Sequence, residues 1–304
     1  MQRWPSLKQL QYLVALDEHK NFNRAAKACH VSQSTLSTGI QTLEDMMNLQ
    51  LVERDHKSFI MTPVGMEIVA RARNLLSDAR DLIELGQQQG GVMHGTVRLG
   101  CIPTIAPFLL SKLLQVCGKA YPELELLLRE DTTTNLLKQL EQGQLDLLIL
   151  ALPVEIGGFH SKTVGQDPFH MVMPSDMAAT LHMPFDYKEL PNQSIFLLER
   201  EHCLTEHAVS ACRLRDKSKI NPFAATSLHT LVQMVGAGLG TTFLPQMAID
   251  AGILDNSDLV AIPLPGEKPY REIGLVWRPS TTRVQTFYKI AELLTPLISP
   301  KAAD

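Results

Sequence analysis

The sequence lacks three features that would assign it to a class of protein at once. It has no apolar run that approaches the ~18 residues of a membrane helix, and its N-terminus lacks the apolar core of a secretory signal peptide. Its 28 basic and 32 acidic side chains give a net charge of −4, so no excess of positive charge indicates a nucleic-acid partner. We therefore predict a cytoplasmic protein without a membrane partner. Charge neither favours nor excludes DNA binding.

Cysteine is scarce, with five in 304 residues. In a reducing cytosol, five cysteines do not indicate a structural disulfide framework. Cys203 and Cys212 are nine residues apart. In a helix they would lie about 13.5 Å apart along the axis, whereas a disulfide needs Cα atoms within roughly 7 Å. The pair is therefore either a redox switch that must unwind its helix, or two buried thiols that pack as small apolar side chains. The segment alone leaves both interpretations open.

The first sixty-five residues predict three helices. The apolar spacing indicates a first helix that ends near His19, and a short Ala-rich helix that begins at Asn21 or Asn23. Ser32 is a good N-cap for a third helix. That helix carries one apolar stripe, formed by Leu36, Ile40, Leu43 and Met47. A tight turn before a helix with a polar N-terminus fits a helix-turn-helix, although any small helical bundle shows the same periodicity.

A resemblance that spans nearly the whole segment gives it a specific interpretation. The positions that fall as in the N-terminal domain of LysR-type transcription regulators are Leu10, Tyr12, Phe22, Ala25, Ala26, Val31, Ser32, Gln33, Leu36, Ser37, Ile40, Leu43, Glu44, Leu51, Arg54, Thr62 and Gly65. Ser34, Asn48 and Val52 depart from the residues usual there. The resemblance implies a winged helix-turn-helix over residues 1–62 that binds double-stranded promoter DNA and works with RNA polymerase.

The same resemblance implies which side chains face the DNA. Phosphate contacts fix the position of a protein on DNA, and base contacts specify the sequence. The predicted contacts are Ser32 and Arg54 to phosphates, Gln33, Ser34 and Thr35 to base edges, and Ser37 to either.

A long helix follows the predicted DNA-binding domain. Thr62 and Pro63 are suited to the N-cap and first position of a helix, which we expect over 66–85. The Gly-rich segment 86–91 then ends it. A long helix between flexible segments is more often a connector or dimerisation arm than a core helix. The resemblance implies that residues 63–91 form a linker and dimerisation helix with a hinge, and that the chain self-associates as a dimer or homotetramer.

The rest of the chain alternates strands and helices, which predicts an α/β domain. The run 145–152 is apolar enough for a strand covered on both faces. Gly236–Gly240 follows a predicted helix and precedes a strand, so we interpret it as a helix stop, not a nucleotide-binding loop. The pattern resembles the two-lobed, periplasmic-binding-protein-like effector domain of the LysR family. The predicted bounds are 92–304 for the domain, 92–167 with 271–304 for lobe I, and 168–270 for lobe II.

Within the LysR family the sequence resembles the OxyR-type hydrogen-peroxide sensors. The positions that carry this resemblance are Thr104, Thr133, Asp146, His202, Cys203, Cys212, Ala225, Thr226, Ser227, Leu228, Pro245 and Arg271. It implies that peroxide oxidises Cys203 and that Cys212 resolves the product to a disulfide. The implied peroxide-binding residues are Thr104, Thr133, His202 and Arg271. Oxidation would unwind the helix, repack the dimer interface and change promoter binding by this activator, and a cytosolic thiol reductant would restore the thiols.

Glu201 precedes His202, where these sensors more often have glycine. Negative charge beside a thiol disfavours its thiolate, so the rate of oxidation is open in either direction. Three alternatives remain: a LysR-type sensor of a small metabolite with non-redox cysteines, a peroxide-consuming enzyme, and a metal sensor. The last would use His202, Cys203, His207 and Cys212, whose spacing matches no standard zinc site. We expect no enzyme activity, metal or cofactor.

Overall fold

The structure, a computed structural model, describes residues 4–55, 58–87, 91–180, 190–199, 203–212, 214, 216–264 and 269–298. The chain divides into two compact units. The N-terminal unit comprises Met1–Gly90, Gln139–Gln144 and Ser280–Thr282, and the C-terminal unit comprises Gly91–Lys138, Leu145–Pro279 and Arg283–Asp304. No helix within the described ranges is long and apolar enough to cross a membrane.

The N-terminal unit has three short helices, a two-stranded hairpin and a long helix. Its elements are α1 (Leu7–His19), α2 (Phe22–Ala28), α3 (Gln33–Met47), β1 (Val52–Asp55), β2 (Ser58–Met61) and α4 (Pro63–Gln87). The two strands pair antiparallel as the wing. Leu36, Ile40 and Leu43 of α3 are fully buried in one core with residues of α1 and α2. The predicted winged helix-turn-helix is therefore confirmed, and the apolar stripe of its third helix forms the core.

Side-chain caps set the ends of these helices. Asn21, not Asn23, caps α2 by accepting a hydrogen bond from the Arg24 amide at 3.0 Å. Ser32 Oγ accepts from the Thr35 amide at 3.1 Å, as predicted. Asn48 ends α3 in the left-handed region, at φ 50°, where asparagine replaces the glycine that favours such a turn. The short-range chemistry of the sequence thus fixes the turn that presents the N-terminus of α3.

The C-terminal unit is built on one mixed sheet. Its elements are β3 (Gly95–Cys101), α5 (Ala106–Ala120), β4 (Leu124–Glu130), α6 (Thr133–Glu141), β5 (Leu147–Leu152), β6 (His160–Pro174), α7 (Ser175–Ala179), β7 (Ile195–Leu198), α8 (Cys203–Ala211), β8 (Ile220–Ala225), α9 (Leu228–Gly236), β9 (Thr241–Pro245), α10 (Gln246–Asp250), β10 (Leu259–Pro263), β11 (Tyr270–Trp277) and α11 (Val284–Ile298). The strand order is β4-β3-β5-β11-β6-β9-β7-β8, and β10 pairs with β6. Every residue of β5 is buried, as its apolar sequence predicted.

Two strands connect the halves of this sheet. β6 pairs with β11 as far as Pro168, and from Phe169 it pairs with β9. β11 lies antiparallel between β5 and β6. One half therefore holds β4, β3, β5, β11 and the first part of β6, and the other holds the second part of β6 with β9, β7, β8 and β10. This is the two-lobed architecture that the resemblance implied.

The glycine run after α9 is the turn that the sequence predicted. Gly238 has φ +76° and Gly240 has φ +156°. A Cβ atom on Gly240 would approach the Ser194 carbonyl oxygen to 2.1 Å. Since only glycine tolerates both the backbone angle and this close approach, the run forms the tight turn that leads into β9.

Candidate functional site

Arg271 is the most buried charged side chain of the molecule's described part, with 1% of its surface exposed. It lies on β11 directly opposite Asp167 of β6. Its Nε donates to Asp167 Oδ2 at 3.0 Å, and Nη2 lies 2.9 Å from the same oxygen. The guanidinium therefore sits where β6 leaves one half of the sheet for the other.

Thr104 holds the other side of this guanidinium. Nη1 of Arg271 donates to Thr104 Oγ1, and Nη2 donates to the Thr104 carbonyl, both at 2.9 Å. Asp167 Oδ1 in turn accepts from the Met247 amide at 2.9 Å. A buried charge is tolerated when it is both paired and hydrogen-bonded. The structure thus brings together Thr104 and Arg271, and adds Asp167 as a fixed counter-charge.

Cys203 is the first residue of α8 and is half-buried. Burial raises the pKa of its thiol, and the Glu206 carboxylate adds to that effect, whereas Thr133 and the Arg271 guanidinium oppose it. Because the thiolate is the nucleophile, the cation and the hydroxyl favour the reactive form while burial disfavours it. Two of the predicted residues, Thr133 and Arg271, therefore both act on the predicted thiol of Cys203.

The Thr133 hydroxyl is buried and has no hydrogen-bond partner of acceptable geometry among the described residues. It lies near enough to Cys203 to lower the pKa of that thiol, although the two groups do not form a well-aligned hydrogen bond. A buried polar group without a partner needs an explanation. Thr133 Oγ1 is a donor and acceptor available to a small polar molecule beside the sulfur.

Cys212 lies one residue beyond the end of α8 and is 5% exposed. Its backbone amide still donates to the Ala208 carbonyl at 2.9 Å. All five cysteines lie within the described ranges, and no disulfide joins any two of them. The segment between Cys203 and Cys212 is therefore helical, with both cysteines present as thiols.

His207 also lies on α8, and its half-buried ring reaches the loop after β5. Its Nε2 is 2.9 Å from the Pro153 carbonyl oxygen. Nδ1 is buried without a partner among the described residues. Burial lowers the pKa of the imidazole, as does Arg271. Sequence reasoning named His207 only as a metal ligand, although its spacing of four from Cys203 was a signal that the two share a helix face.

Two predictions in this region fall on undescribed residues. His202 and Glu201 lie outside the described ranges. Among the residues that are described, no group of three or more His, Cys, Asp or Glu side chains could hold a metal ion.

The predicted DNA-facing residues cluster at the start of α3. Ser32, Gln33, Ser34 and Thr35 are exposed, and Ser37 is half-buried. Ser32 Oγ lies 2.8 Å from Ser34 Oγ and 2.7 Å from Thr35 Oγ1. These hydroxyls therefore form one exposed polar surface at a helix N-terminus, where backbone amides favour anions. The backbone of Arg54 lies in β1.

Two family models match the sequence along most of its length. Residues 7–66 match the model described as bacterial regulatory helix-turn-helix protein, lysR family. Residues 90–295 match the LysR substrate binding domain. The chain belongs to the LysR family. Its fold agrees with both matches, because the helix-turn-helix lies in the first segment and the two-lobed sheet in the second.

Several members of the LysR family are similar over nearly the whole chain. The HTH-type transcriptional regulator EstR of Acinetobacter baylyi is 38% identical over 95% of this chain and 96% of the relative. The DNA-binding transcriptional dual regulator OxyR of Escherichia coli is 36% identical over 95% and 94%. The reduced regulatory domain of OxyR2 from Vibrio vulnificus is 63% identical, with a TM-score of 0.67, over 68% of this chain and 97% of that domain. The resemblance to OxyR-type members of the LysR family is confirmed.

Proposed function

We propose that the protein is a peroxide-responsive, DNA-binding transcription regulator in which hydrogen peroxide oxidises Cys203. The observation that carries this proposal is the environment of Cys203. The buried Arg271 guanidinium lowers the pKa of its thiol electrostatically, and so does the Thr133 hydroxyl, which has no hydrogen-bond partner in the described part of the chain. These groups suit a small, neutral molecule with two oxygens, since each oxygen both donates and accepts hydrogen bonds.

The chemistry runs in two steps. The Cys203 thiolate attacks one peroxide oxygen, so that an S–O bond forms while the O–O bond breaks, and the departing hydroxide takes a proton to become water. Cys203 is then a sulfenic acid. The Cys212 thiol gives up its proton as its sulfur attacks the sulfenic acid. The S–O bond breaks, the disulfide forms, and the expelled hydroxide takes up that proton as the second water. Arg271 and Thr133 would stabilise the thiolate and the departing oxygen.

The second step requires α8 to come apart. Its nine helical residues separate the two thiols along the helix axis, at a rise of about 1.5 Å per residue, which is beyond the reach of a disulfide. Oxidation and local refolding are therefore one event. We infer that this event repacks the self-association surface of a dimer or tetramer and alters promoter binding and contact with RNA polymerase, and that a cytosolic thiol reductant reverses it.

Peptide mapping of full-length reduced protein tests the proposal. After one equivalent of hydrogen peroxide, we expect the wild-type chain to yield a peptide that joins Cys203 to Cys212. Cys212→Ser is expected to stop at a sulfenic acid on Cys203, detectable with a dimedone probe. Cys203→Ser is expected to remain unmodified and to show no peroxide-dependent change in promoter binding. Cys117→Ser is the matched control, because Cys117 is buried in α5.

Two results would oppose this function. If peroxide still alters promoter binding by Cys203→Ser, and no linked peptide forms in the wild type, the protein senses something else and its cysteines are structural. If the wild type consumes many equivalents of peroxide in steady state with a thiol reductant, it acts as an enzyme.

We also propose that residues 1–62, 63–91 and 92–304 act as DNA-binding, linker and regulatory domains. Gln33, Ser34 and Thr35 would read base edges, whereas Ser32 and Arg54 would hold the DNA backbone. Ser37 would contact either. The exposed hydroxyls at the start of α3 support this division of roles. The Gln side chain suits adenine, to which it can make two hydrogen bonds.

Selection from a random duplex library distinguishes these roles. We expect Gln33→Ala to relax the preference at one base pair, with a loss of about 1–3 kcal/mol of discrimination there. Arg54→Ala is expected to weaken binding to all sequences alike and to reduce the salt slope by about 1. If Gln33→Ala keeps the sequence preference of the wild type, Gln33 does not contact a base edge.

A further inference from the structure

His207 lies on the same face of α8 as Cys203. His207 is four positions after Cys203 in the helix, and side chains at this spacing are neighbours one helical turn apart, with Cβ atoms about 5–6 Å from each other. The Arg271 guanidinium acts on both: it lowers the pKa of the Cys203 thiol and that of the His207 imidazole. The imidazole and the thiol therefore share one side of the helix and one neighbouring cation.

The hydrogen bond to Pro153 fixes the tautomer of His207. A carbonyl oxygen only accepts, so Nε2, which lies 2.9 Å from it, carries the hydrogen. When the ring is neutral, Nδ1 then holds a lone pair. Nδ1 is buried and meets no donor among the described residues. An unsatisfied buried acceptor is destabilising. Its position one helical turn from the Cys203 thiol points to a proton that arrives during the reaction.

Burial, helped by the Arg271 cation, favours the neutral form of the His207 ring at pH 7. Burial lowers the pKa of His207 from the ordinary value of 6.5, and Arg271 lowers it further. The Pro153 carbonyl and the Glu206 carboxylate oppose this shift to a smaller extent. Asp167 is engaged by Arg271 on the adjacent strands, and Thr133 contributes a neutral hydroxyl. A neutral ring is the form that can accept a proton.

We propose that Nδ1 of His207 accepts the proton of the Cys203 thiol when peroxide reacts, an inference that rests on the proposed oxidation of Cys203. The S–H bond breaks and an N–H bond forms. The resulting thiolate attacks one peroxide oxygen, and the imidazolium returns its proton to the departing hydroxide. The products are a sulfenic acid, water and the original neutral imidazole, so atoms and charge balance without a further reactant.

Proton acceptance by His207 would explain how a buried thiol reacts at neutral pH. Since burial raises the pKa of the Cys203 thiol, few molecules hold a thiolate at pH 7 unless an acceptor is at hand. Thr133 supplies a donor beside the sulfur, and His207 supplies an acceptor one turn along the helix. Peroxide needs both, because each of its oxygens carries a hydrogen and lone pairs.

The rate of Cys203 oxidation as a function of pH tests the proposal in two variants of the full chain. His207→Gln keeps an N–H group able to reach the Pro153 carbonyl but has no group that takes up a proton. His207→Asn keeps an acceptor oxygen on Cγ, near the place of Nδ1, but loses the bond to Pro153. Oxidation is followed by rapid quenching with a thiol-blocking reagent and mass spectrometry of the Cys203 peptide, at pH values from about 5.5 to 9.

In the wild type we expect a rate constant that is flat around pH 7–8 and falls at a pH below about 6.5, where the imidazole gains its proton. Both variants are expected to react at least about tenfold more slowly at pH 7. Their rates are expected to rise about tenfold per pH unit, because only the thiolate already present can react.

A His207→Gln rate and pH profile like those of the wild type would overturn the proposal. If His207→Asn alone were impaired, the residue would serve only to anchor α8 to Pro153. The outcome is separable from that of the proposed function. If peroxide leaves Cys203 unmodified in the wild type at every pH, the proposed sensing function is wrong. If the wild type is oxidised and both His207 variants react at the same rate as the wild type, only the proposed role of His207 is wrong.

Discussion

Replacing Arg271 by methionine is expected to lower the free energy of unfolding of the C-terminal unit by about 3–5 kcal/mol, because it leaves a buried charge without its partner. Asp167 is 2% exposed and its Oδ2 accepts from the guanidinium. Methionine has a similar length but no donors, so that oxygen and the Thr104 carbonyl both lose a hydrogen bond. The remaining Met247 amide cannot neutralise the carboxylate.

The same substitution is expected to slow oxidation of Cys203 strongly, since the guanidinium is the cation that favours its thiolate. Urea unfolding monitored by the fluorescence of Trp277, which is buried in this unit, measures the loss of stability. The second-order rate with peroxide, taken on the fraction that remains folded, measures the loss of reactivity. The two readouts separate an unfolded site from a folded site with a less reactive thiol.

Two control variants test whether the loss of stability comes from the buried charge pair. Arg271→Lys keeps the positive charge but loses the planar set of donors, so it should cost less stability than methionine. Arg129→Met makes the same chemical change at an arginine whose side chain is 60% exposed, in a pair 3.5 Å from Asp131. An exposed pair contributes about 0–1 kcal/mol. Equal losses from Arg271→Met and Arg129→Met would mean that the buried network does not hold the two halves of the sheet together.

Glu44→Ala is expected to damage the N-terminal unit while leaving the chemistry of Cys203 intact. Glu44 lies on α3, is 7% exposed, and accepts hydrogen bonds from the Leu51 and Val52 amides at 2.8 and 3.1 Å. Alanine would leave both buried amides unsatisfied. At about 1–3 kcal/mol for each of the two groups, the unit should lose roughly 2–6 kcal/mol of stability.

The carboxylate of Glu44 connects α3 to the first strand of the wing, so we also expect a loss of promoter affinity. Fluorescence anisotropy with labelled promoter DNA measures that affinity. Peptide mapping after peroxide treatment measures whether the proposed Cys203–Cys212 disulfide forms as in the wild type. Glu44→Gln retains an acceptor oxygen and should retain most of the affinity. Asp45→Ala, at the exposed neighbouring position, should leave the unit stable. Normal stability in Glu44→Ala would show that other contacts alone fix the wing.

Local signals in the sequence predicted the helices well. The Ser32 and Asn21 caps, the Asn48 turn and the stripe of α3 each depend on residues a few positions apart. The strands of the second half of the sheet were mostly missed. The apolar run at 170–173 indicates a strand, but β6 extends over His160–Pro174, and no pattern in the sequence predicts β7, β8 or β10.

The reason for these misses is physical. The first part of β6 is largely polar and gains its strand conformation from pairing with β11, more than a hundred residues away. β8 contains Pro222 and lies at the edge of the sheet, the place where proline is tolerated in a strand. Pairing between distant segments is not encoded in the periodicity of either one.

Contacts between distant segments were also missing from the site that the sequence predicted. Thr104, Thr133, Cys203 and Arg271 were named from a resemblance, because their residue types and order match a known family. Asp167 was missed, since its role depends on the register between β6 and β11. The Pro153 partner of His207 was equally invisible, because it comes from a loop more than fifty residues earlier.

The packing of α8 carries an electrochemical consequence under the proposed function. Thr205 Oγ1 donates to the Leu198 carbonyl of β7 at 2.8 Å, and Leu204 and Ala208 are buried. These contacts exist only while the helix is intact, so they stabilise the dithiol form over the disulfide. A two-electron couple moves by about 30 mV for each 1.4 kcal/mol. The midpoint potential of the pair is therefore set by how tightly a helix packs, and residues that touch neither sulfur determine how oxidising the cell must become before the regulator responds.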